Sequence, residues 1–336
     1  MNIISYICVK VNSNRANKCE NFKLTKFCYV SCKKDIFLLY NIKGYNANTY
    51  KEDRMKNIVE NKRFGEERAL YALRDAEVIH CSFEGEEDGE SALKETRRIK
   101  VSDCDFRLRY PLWHTEDFEI KGSSFCDTAR APIWYARRGM VSDSTLTCIK
   151  ALRECDSVSF EHSDIISEEF GWKSSNISLS DCKLSGAYAF LDCKNVSAKR
   201  LRFSGKYSFQ YVNGLVIEDS YLDTKDAFWH SKNVTVRNST VKGEYLAWFS
   251  ESLTLENCRI IGTQPLCYCK DLRLINCEMT DCDLSFENSH VLADVKGHIV
   301  SVKNPISGNI IADSIGEIIF DENASAPGAA VSVRNK

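Results

Sequence analysis

Three consecutive segments of equal length decide the fold: SFQYVNGLVIEDSYLDTKD (208–226), AFWHSKNVTVRNSTVKGEY (227–245) and LAWFSESLTLENCRIIGTQ (246–264). Each segment is one 19-residue unit, and aligned positions have the same character. The third position holds Gln210, Trp229 or Trp248, and the eighth, tenth and fifteenth positions are always apolar. A fixed internal period of this kind indicates a repeat architecture.

The 19-residue register extends in both directions from these segments. With the first residue of each segment taken as position zero, the register also continues backwards through Pro111, Ala92 and Ala69, in steps of twenty-one, nineteen and twenty-three positions. The sequence therefore predicts roughly a dozen coils. The uninterrupted series at position zero is Pro132, Ala151, Phe170, Ala189, Ser208, Ala227, Leu246, Pro265 and Leu284.

The pattern within each coil predicts strands. Positions +7 and +9 are apolar and alternate with polar residues, which is typical of β-strands. A further apolar column at position +14 and a glycine column at position +16 complete three strands per coil. A helical solenoid needs a 3.6-residue apolar period and longer repeats, and a hexapeptide β-helix needs apolar residues at every sixth position. The sequence shows neither pattern. We therefore predict an all-β protein, a single-stranded right-handed parallel β-helix, in which columns become ladders with a spacing of about 4.8 Å.

Composition excludes several classes of protein. The chain of 336 residues is 43% hydrophobic and 27% charged, which argues against disorder. No apolar run is long enough to span a bilayer, and no signal peptide is evident, which predicts a cytoplasmic protein without a membrane partner. Residues 1–54 hold ten basic and four acidic residues, so the remaining chain has a net charge of −8, which argues against nucleic acid.

The cysteines and the short motifs point to no cofactor. Sixteen cysteines without an export signal predict reduced thiols. No C-x-x-C pair occurs, which excludes zinc-ribbon and iron–sulfur sites, and the six histidines are too scattered to indicate a metal site. Phosphate-binding and nucleophile-elbow motifs are also absent from the sequence.

The register divides the chain into three parts. Residues 1–54 lie outside it and are interpreted either as a poorly ordered extension or gene-prediction artefact, or as an N-terminal cap. Residues 55–323 form the β-helix domain, and residues 324–336 are expected to be a tail.

All five tryptophans lie at position +2 of their coils. Strand alternation predicts that this column and position zero point outward, whereas position +1 forms the core. One interpretation is a packing ladder of stacked rings, and the other is an exposed strip that binds a ligand. The candidate ligand-binding residues are Trp113, Trp134, Trp172, Trp229, Trp248, Arg153 and Gln210.

Ionisable residues occupy the neighbouring columns at positions −2, −1 and +3. One interpretation is ion pairing between coils, as in Lys150 over Glu169 or Glu154 over Lys173. The other is a general acid–base site. The candidate catalytic residues for that site are Asp192, Asp226, His230, Tyr211 and Lys225.

Motifs along the chain resemble a microbial family known as domain of unknown function 3737. They include GEERALY (65–71), RYPLWH (109–114), RAPIWY (130–135), DTKDAFWH (223–230) and GEYLAW (243–248). The resemblance covers residues 55–321 and implies a right-handed β-helix of the pectin-lyase-like type. It implies no established reaction.

Two classes of function remain open. The first is a binding or assembly scaffold that presents the tryptophan strip to a carbohydrate or a partner protein. The second is an intracellular carbohydrate-active enzyme, a lyase, hydrolase or epimerase, that uses Asp, His and Tyr side chains on the same face. The sequence predicts no cofactor, and it leaves the oligomeric state undecided.

Overall fold

The computed structural model describes residues 28–32, 35–39, 57–85, 89–325 and 328–334. The chain divides into two compact units, Met1–Arg54 and Met55–Lys336. In the first unit, strands Cys28–Cys32 and Asp35–Leu39 pair antiparallel. The rest of residues 1–54, and with it the choice between an extension and a cap, lies outside the described residues.

The second unit is a parallel β-helix built on three ladders of strands. Ladder A contains fifteen described strands, each paired in parallel with its neighbours. The last strand falls in the segment expected to be a tail. The strands of ladder A are Asn57–Glu60, Arg74–Ile79, Arg97–Ser102, Glu116–Lys121, Arg137–Ser142, Asp156–Glu161, Ser175–Ser180, Lys194–Lys199, Asn213–Glu218, Lys232–Arg237, Glu251–Glu256, Lys270–Thr280, His290–Lys303, Ser307–Ile319 and Ala330–Val333.

Ladder B follows ladder A in each coil, and Lys270–Thr280 runs through both. Ladder C consists of the three short strands Leu112–Trp113, Ile133–Trp134 and Leu152–Arg153. A 3-10 turn spans Asp127–Ala129. The remaining strands of ladder B are Arg63–Phe64, Ser82–Phe83, Asp105–Phe106, Ser124–Phe125, Thr145–Thr147, Asp164–Ile166, Lys183–Gly186, Arg202–Lys206, Tyr221–Lys225, Thr240–Lys242 and Arg259–Ile261.

The strand pairings confirm the predicted register. Val196 pairs with Leu215 and Leu215 with Val234, so successive partners are one 19-residue period apart. The irregular coils also have their predicted lengths, because Val78 pairs with Val101 and Phe118 with Gly139. The predicted all-β parallel β-helix is therefore confirmed, with about fourteen turns.

Apolar side chains of successive coils stack inside the solenoid. Phe190, Phe209 and Phe228 stack with ring centroids 5.1 and 5.4 Å apart. Phe83, Phe106 and Phe125 form a second stack at 4.6 Å steps. These rings are buried. The distance between successive coils therefore determines both the backbone hydrogen bonds between strands and the stacking of the core rings.

The corner between ladders A and B is held by two polar ladders. Asn257 Nδ2 donates to Asn238 Oδ1 at 3.2 Å, and Asn276 Nδ2 donates to Asn257 Oδ1 at 2.6 Å. These asparagines adopt the left-handed conformation, which Asn tolerates better than most residues. At the next position, Ser220 Oγ accepts from the backbone N–H of Leu201 at 2.9 Å, so buried corner amides are satisfied.

Position zero was expected to face outward with the tryptophans, and this prediction is wrong. Ala227 at position zero and Phe228 at position +1 are both buried. The backbone of Phe228 is left-handed, with φ of 62°, so the chain curls at this point and strand alternation does not apply. Two successive side chains of the coil thus enter the core.

No helix in the described part of the chain has the length and apolarity needed to cross a membrane.

We expect Phe209→Ala to lower the free energy of unfolding by about 3–5 kcal/mol, because it removes a fully buried ring that stacks on both sides. Urea unfolding followed by circular dichroism would measure this. Tyr221→Ala, at an exposed ring of ladder B, is the control and should change stability by no more than about 0.5 kcal/mol. Similar losses for both variants would contradict the stacked core.

Candidate functional site

Three columns of outward side chains run side by side along one corner of the solenoid. We call positions −1, +2 and +3 the tyrosine, tryptophan and rim ladders, and the three together the aromatic strip. The tryptophan ladder is in the middle, because Trp248 contacts Tyr245 on one side and Phe249 on the other. The strip exists because positions zero and +1 turn inward.

The first half of the tryptophan ladder is a stack of rings and cations. The Lys94 ammonium lies 4.5 Å from the Trp113 ring centroid, and Trp113 stacks on Trp134 at 5.6 Å. The Arg153 guanidinium lies between the Trp134 and Trp172 rings, at 5.8 and 5.3 Å from their centroids. Cation–π contacts of this kind favour a charged residue between aromatic neighbours.

The second half of the tryptophan ladder is tied to the backbone. The indole Nε1 of Trp229 donates to the carbonyl of Tyr245, and that of Trp248 to Gln264, at 2.6 and 2.8 Å. Gln210 makes the equivalent bond, from Nε2 to the Asp226 carbonyl at 3.0 Å. All five tryptophans are half-buried, so these rings pack against the solenoid and still contribute to its surface.

Arg153 is held by its neighbours on every side. Besides the two indoles, its guanidinium lies 3.3 Å from Glu154 and 3.4 Å from Glu169, which also pairs with Lys150 at 3.4 Å. The predicted pairing of Lys150 with Glu169 is therefore present, whereas Glu154 pairs with Arg153. The proposed ligand contacts of Arg153 and Gln210 stay predictions, since both side chains already have protein partners.

The rim ladder contains a continuous stack of four exposed or half-buried rings. Tyr211, His230, Phe249 and Tyr268 stack at centroid distances of 5.0, 5.0 and 4.7 Å. Tyr211 is 53% exposed and Phe249 44%. Because each ring covers the face of the next, the stack presents ring edges and hydroxyl groups to the solvent.

Asp226 interrupts the tyrosine ladder. Tyr188 and Tyr207 stack at 5.0 Å, Asp226 follows, and Tyr245 comes next. Asp226 is only 6% exposed, and its carboxylate has no hydrogen bond or ion pair within the described residues. Burial raises the pKa of the Asp226 carboxyl, while the charge of Lys225 lowers it and that of Glu244 raises it.

The five candidate catalytic residues do not converge on one point. Tyr211 and His230 are in ring contact, and Asp192 lies in the same rim ladder, where it is exposed. Asp226 lies across the tryptophan ladder from them. Lys225 is next to Asp226 in the chain but pairs with Glu244 at 2.8 Å.

Sequence reasoning missed two contributors to this surface. Glu244 holds Lys225, and Phe249 links His230 to Tyr268. Their positions in the register were visible, but the choice of partner was not. No group of three or more His, Cys, Asp or Glu side chains that could hold a metal ion occurs in the ranges that the structure describes.

Comparisons with known proteins give a family and a distant likeness. The sequence model of the family "Protein of unknown function (DUF3737)" matches residues 57–332. No curated protein matches the chain significantly. Among solved structures, the chain is similar to a tailspike protein mutant of E. coli bacteriophage HK620 in complex with pentasaccharide, with 10% identity and a TM-score of 0.37. That match covers 82% of this chain, which spans about two thirds (66%) of the tailspike's length.

Two epimerases give similar values. The A-module of mannuronan C-5 epimerase AlgE4 from Azotobacter vinelandii is 10% identical, with 82% of this chain and 90% of that chain covered and a TM-score of 0.29. A double mutant of the periplasmic alginate epimerase AlgG is 9% identical, with coverages of 82% and 76% and a TM-score of 0.27.

We expect Asp226→Asn to raise the melting temperature at pH 7. Folding raises the pKa of the Asp226 carboxyl, so the unfolded chain loses this proton more easily than the folded one. Ionisation therefore opposes folding once the pH exceeds the pKa of the unfolded carboxyl. The gain should shrink as the pH falls and vanish below the ordinary aspartate value of about 3.9. Thermal melts of both proteins across pH 3–7 would measure it, and a gain that does not change with pH would contradict this account.

Proposed function

Because the chain belongs to the DUF3737 family of proteins of unknown function, its activity has to be inferred from its own surface, and we propose that the aromatic strip binds an extended glycan chain. The observation that carries this proposal is a set of five tyrosine hydroxyls distributed over both flanks of the strip. Tyr188, Tyr207 and Tyr245 lie on one flank, and Tyr211 and Tyr268 on the other. Within the described residues, none of these hydroxyls has a protein hydrogen-bond partner.

The free hydroxyls suit a ligand that is rich in hydroxyl groups itself. A tyrosine hydroxyl both donates and accepts a hydrogen bond, so each can pair with a sugar hydroxyl in either direction. The half-buried indoles between the flanks supply apolar area without a large hydrophobic patch. Ligand sites commonly combine such an apolar floor with a few well-placed polar groups.

The spacing of the strip favours a glycan over a peptide. Successive rings are about 5 Å apart along the axis, which is close to the length of one sugar residue in an extended glycan. An extended peptide advances roughly 3.3 Å per residue, so its side chains would fall out of register with the ladder within two coils. A glycan can repeat the same contacts coil after coil.

A second candidate function, catalysis on the bound glycan, is favoured by Asp226. A carboxyl that is buried and has a raised pKa is suited to donate a proton to a glycosidic oxygen. Hydrolysis requires such a proton transfer, and lysis by β-elimination also expels the glycosidic oxygen. Epimerisation breaks no glycosidic bond and would instead require Asp226 to exchange a proton with a ring carbon. Asp226 would be the proton donor, and the hydroxyls of the strip would position the sugar.

The binding proposal predicts that Tyr211→Ala combined with Phe249→Ala weakens glycan binding at least tenfold, because the two rings that stack on either side of His230 in the rim ladder are lost. Calorimetric titration of the full chain with cello-, malto- and xylo-oligosaccharides would measure the dissociation constants. The matched control combines Ile275→Ala with Leu292→Ala, two exposed apolar residues of ladder A. Equal effects of the two double variants, or binding of peptides instead of glycans, would contradict the proposal.

If Asp226 is a proton donor, Asp226→Asn should abolish product formation on any oligosaccharide that the protein converts, without lowering its melting temperature. Chromatography of the reaction products would test this. Undiminished turnover by the variant would exclude catalysis through Asp226.

A further inference from the structure

We propose that a groove on the outer face of ladder A binds a short peptide with free termini, with the peptide carboxylate at Lys199 and the peptide ammonium at Glu161. The groove is a cavity of about 280 Å³ that crosses four successive strands of ladder A, from Asp156–Glu161 to Asn213–Glu218. It lies in other columns of the register than the aromatic strip, so this inference does not depend on glycan binding.

The groove exists because a column of short side chains runs beside a column of long ones. Positions +8 and +10 of these coils point away from the core, since they alternate with the buried position +9. Ser178, Ser197 and Val216 line the groove at position +8, and Glu161 and Lys199 line it at position +10. The buried residues at position +9 line it too, so their backbone forms the floor.

The volume of the groove suits a small ligand. Clefts that bind drug-sized molecules commonly begin at about 300 Å³, and this cavity is slightly smaller, at about 280 Å³. At roughly 30 Å³ for each molecule of liquid water, the same volume corresponds to about nine waters. A dipeptide with small side chains is of this size.

Two polar groups that line the groove already have protein partners. The Ser180 hydroxyl lies 3.0 Å from an Asp181 carboxylate oxygen and 3.3 Å from the Arg200 guanidinium. The Glu218 carboxylate pairs with Arg237 at 3.4 Å. These groups are therefore not the ones that a ligand would bind first.

Four other polar groups of the groove are open to a ligand. The Glu161 carboxylate, the Ser178 and Ser197 hydroxyls and the Lys199 ammonium have no hydrogen bond or ion pair within the described residues. A hydroxyl both donates and accepts a hydrogen bond, so the serines can pair with either group of a peptide bond. One anion, one cation and two hydroxyls in a single groove match the ammonium, carboxylate and amide of a short peptide.

The spacing of the two charges sets the length of the ligand. Glu161 and Lys199 stand two coils apart in one column, so their backbones are about 9.6 Å apart. Charge-assisted contacts of about 2.8 Å at each end leave at least roughly 4 Å between the charges of the ligand when both side chains stand upright. One amino acid spans no more than about 3.5 Å, whereas a dipeptide spans about 7 Å. A dipeptide is therefore the smallest peptide that contacts both charges.

The first test changes the ligand. Calorimetric titration of the full chain with alanyl-alanine would be compared with titrations of its N-acetylated and its C-amidated forms. Each modification removes one charge, and we expect each to weaken binding about tenfold, as for the loss of a hydrogen bond to a charged group. Equal binding of the free and the blocked peptides would overturn the assignment of a ligand with two free termini.

The second test changes the protein at the two charges. Glu161→Gln and Lys199→Gln should each weaken the binding of alanyl-alanine about tenfold. The matched controls are Lys194→Gln and Glu278→Gln, which neutralise exposed charges of ladder A outside the groove and should change binding less than twofold. Losses of the same size in the controls would show a general effect of charge and would overturn the site.

A third test blocks the groove without changing a charge. Ser197→Trp places a large side chain at position +8 inside the groove, and Thr254→Trp places it in the same column three coils further on. We expect Ser197→Trp to abolish peptide binding, Thr254→Trp to leave it unchanged, and neither to alter glycan binding by the aromatic strip. Peptide binding that survives Ser197→Trp, or no binding of alanyl-alanine by the wild type, would overturn the proposal.

Discussion

Every feature of this molecule depends on the spacing between parallel strands. Hydrogen bonds of ladder A fix successive coils about 4.8 Å apart, and the 19-residue period places each side chain over its counterpart. The residue at each position must therefore be able to pack against the equivalent residue of the next coil. Phenylalanine meets this condition by ring stacking, asparagine by amide-to-amide bonds and serine by accepting a corner N–H.

The same condition limits what the surface can offer to a ligand. Stacked rings cover one another's faces, so Tyr211, His230 and Phe249 expose their edges to the solvent. Ring faces become accessible only where the column is interrupted. An interruption does not always leave a ring face free, because beside Asp226 the Lys225 ammonium lies over the Tyr245 ring at 5.2 Å from its centroid.

The period predicted the fold because it is a property of the sequence itself. The lengths of the irregular coils were readable from the positions of Pro111, Ala92 and Ala69, and the strand pairings agree. The inward orientation of the side chain at position zero could not be predicted from the sequence. It depends on a left-handed backbone conformation at Phe228, and phenylalanine rarely adopts that conformation. Alternation, the rule that works for strands, fails at such a turn.

The candidate site was predictable only as a set of columns. The sequence placed Arg153 and Gln210 in the tryptophan column. It could not show that Arg153 belongs to an ion-pair network or that Gln210 donates a hydrogen bond to a backbone carbonyl. Likewise it placed Asp226 and Lys225 together, whereas Lys225 pairs with Glu244. The partner of each side chain depends on how far that side chain extends toward the next coil, and the position in a column does not give this information.

A repeating surface recognises a repeating ligand, but it has no means of choosing one bond of that ligand over the next. Catalysis, like tight binding of a single residue, needs a position that differs from its neighbours above and below. Asp226 differs from them in size, charge and burial while keeping their backbone. The two proposed functions therefore place opposite demands on the strip, because binding along a chain uses its repetition, whereas proton transfer uses a residue such as Asp226 that interrupts the tyrosine ladder.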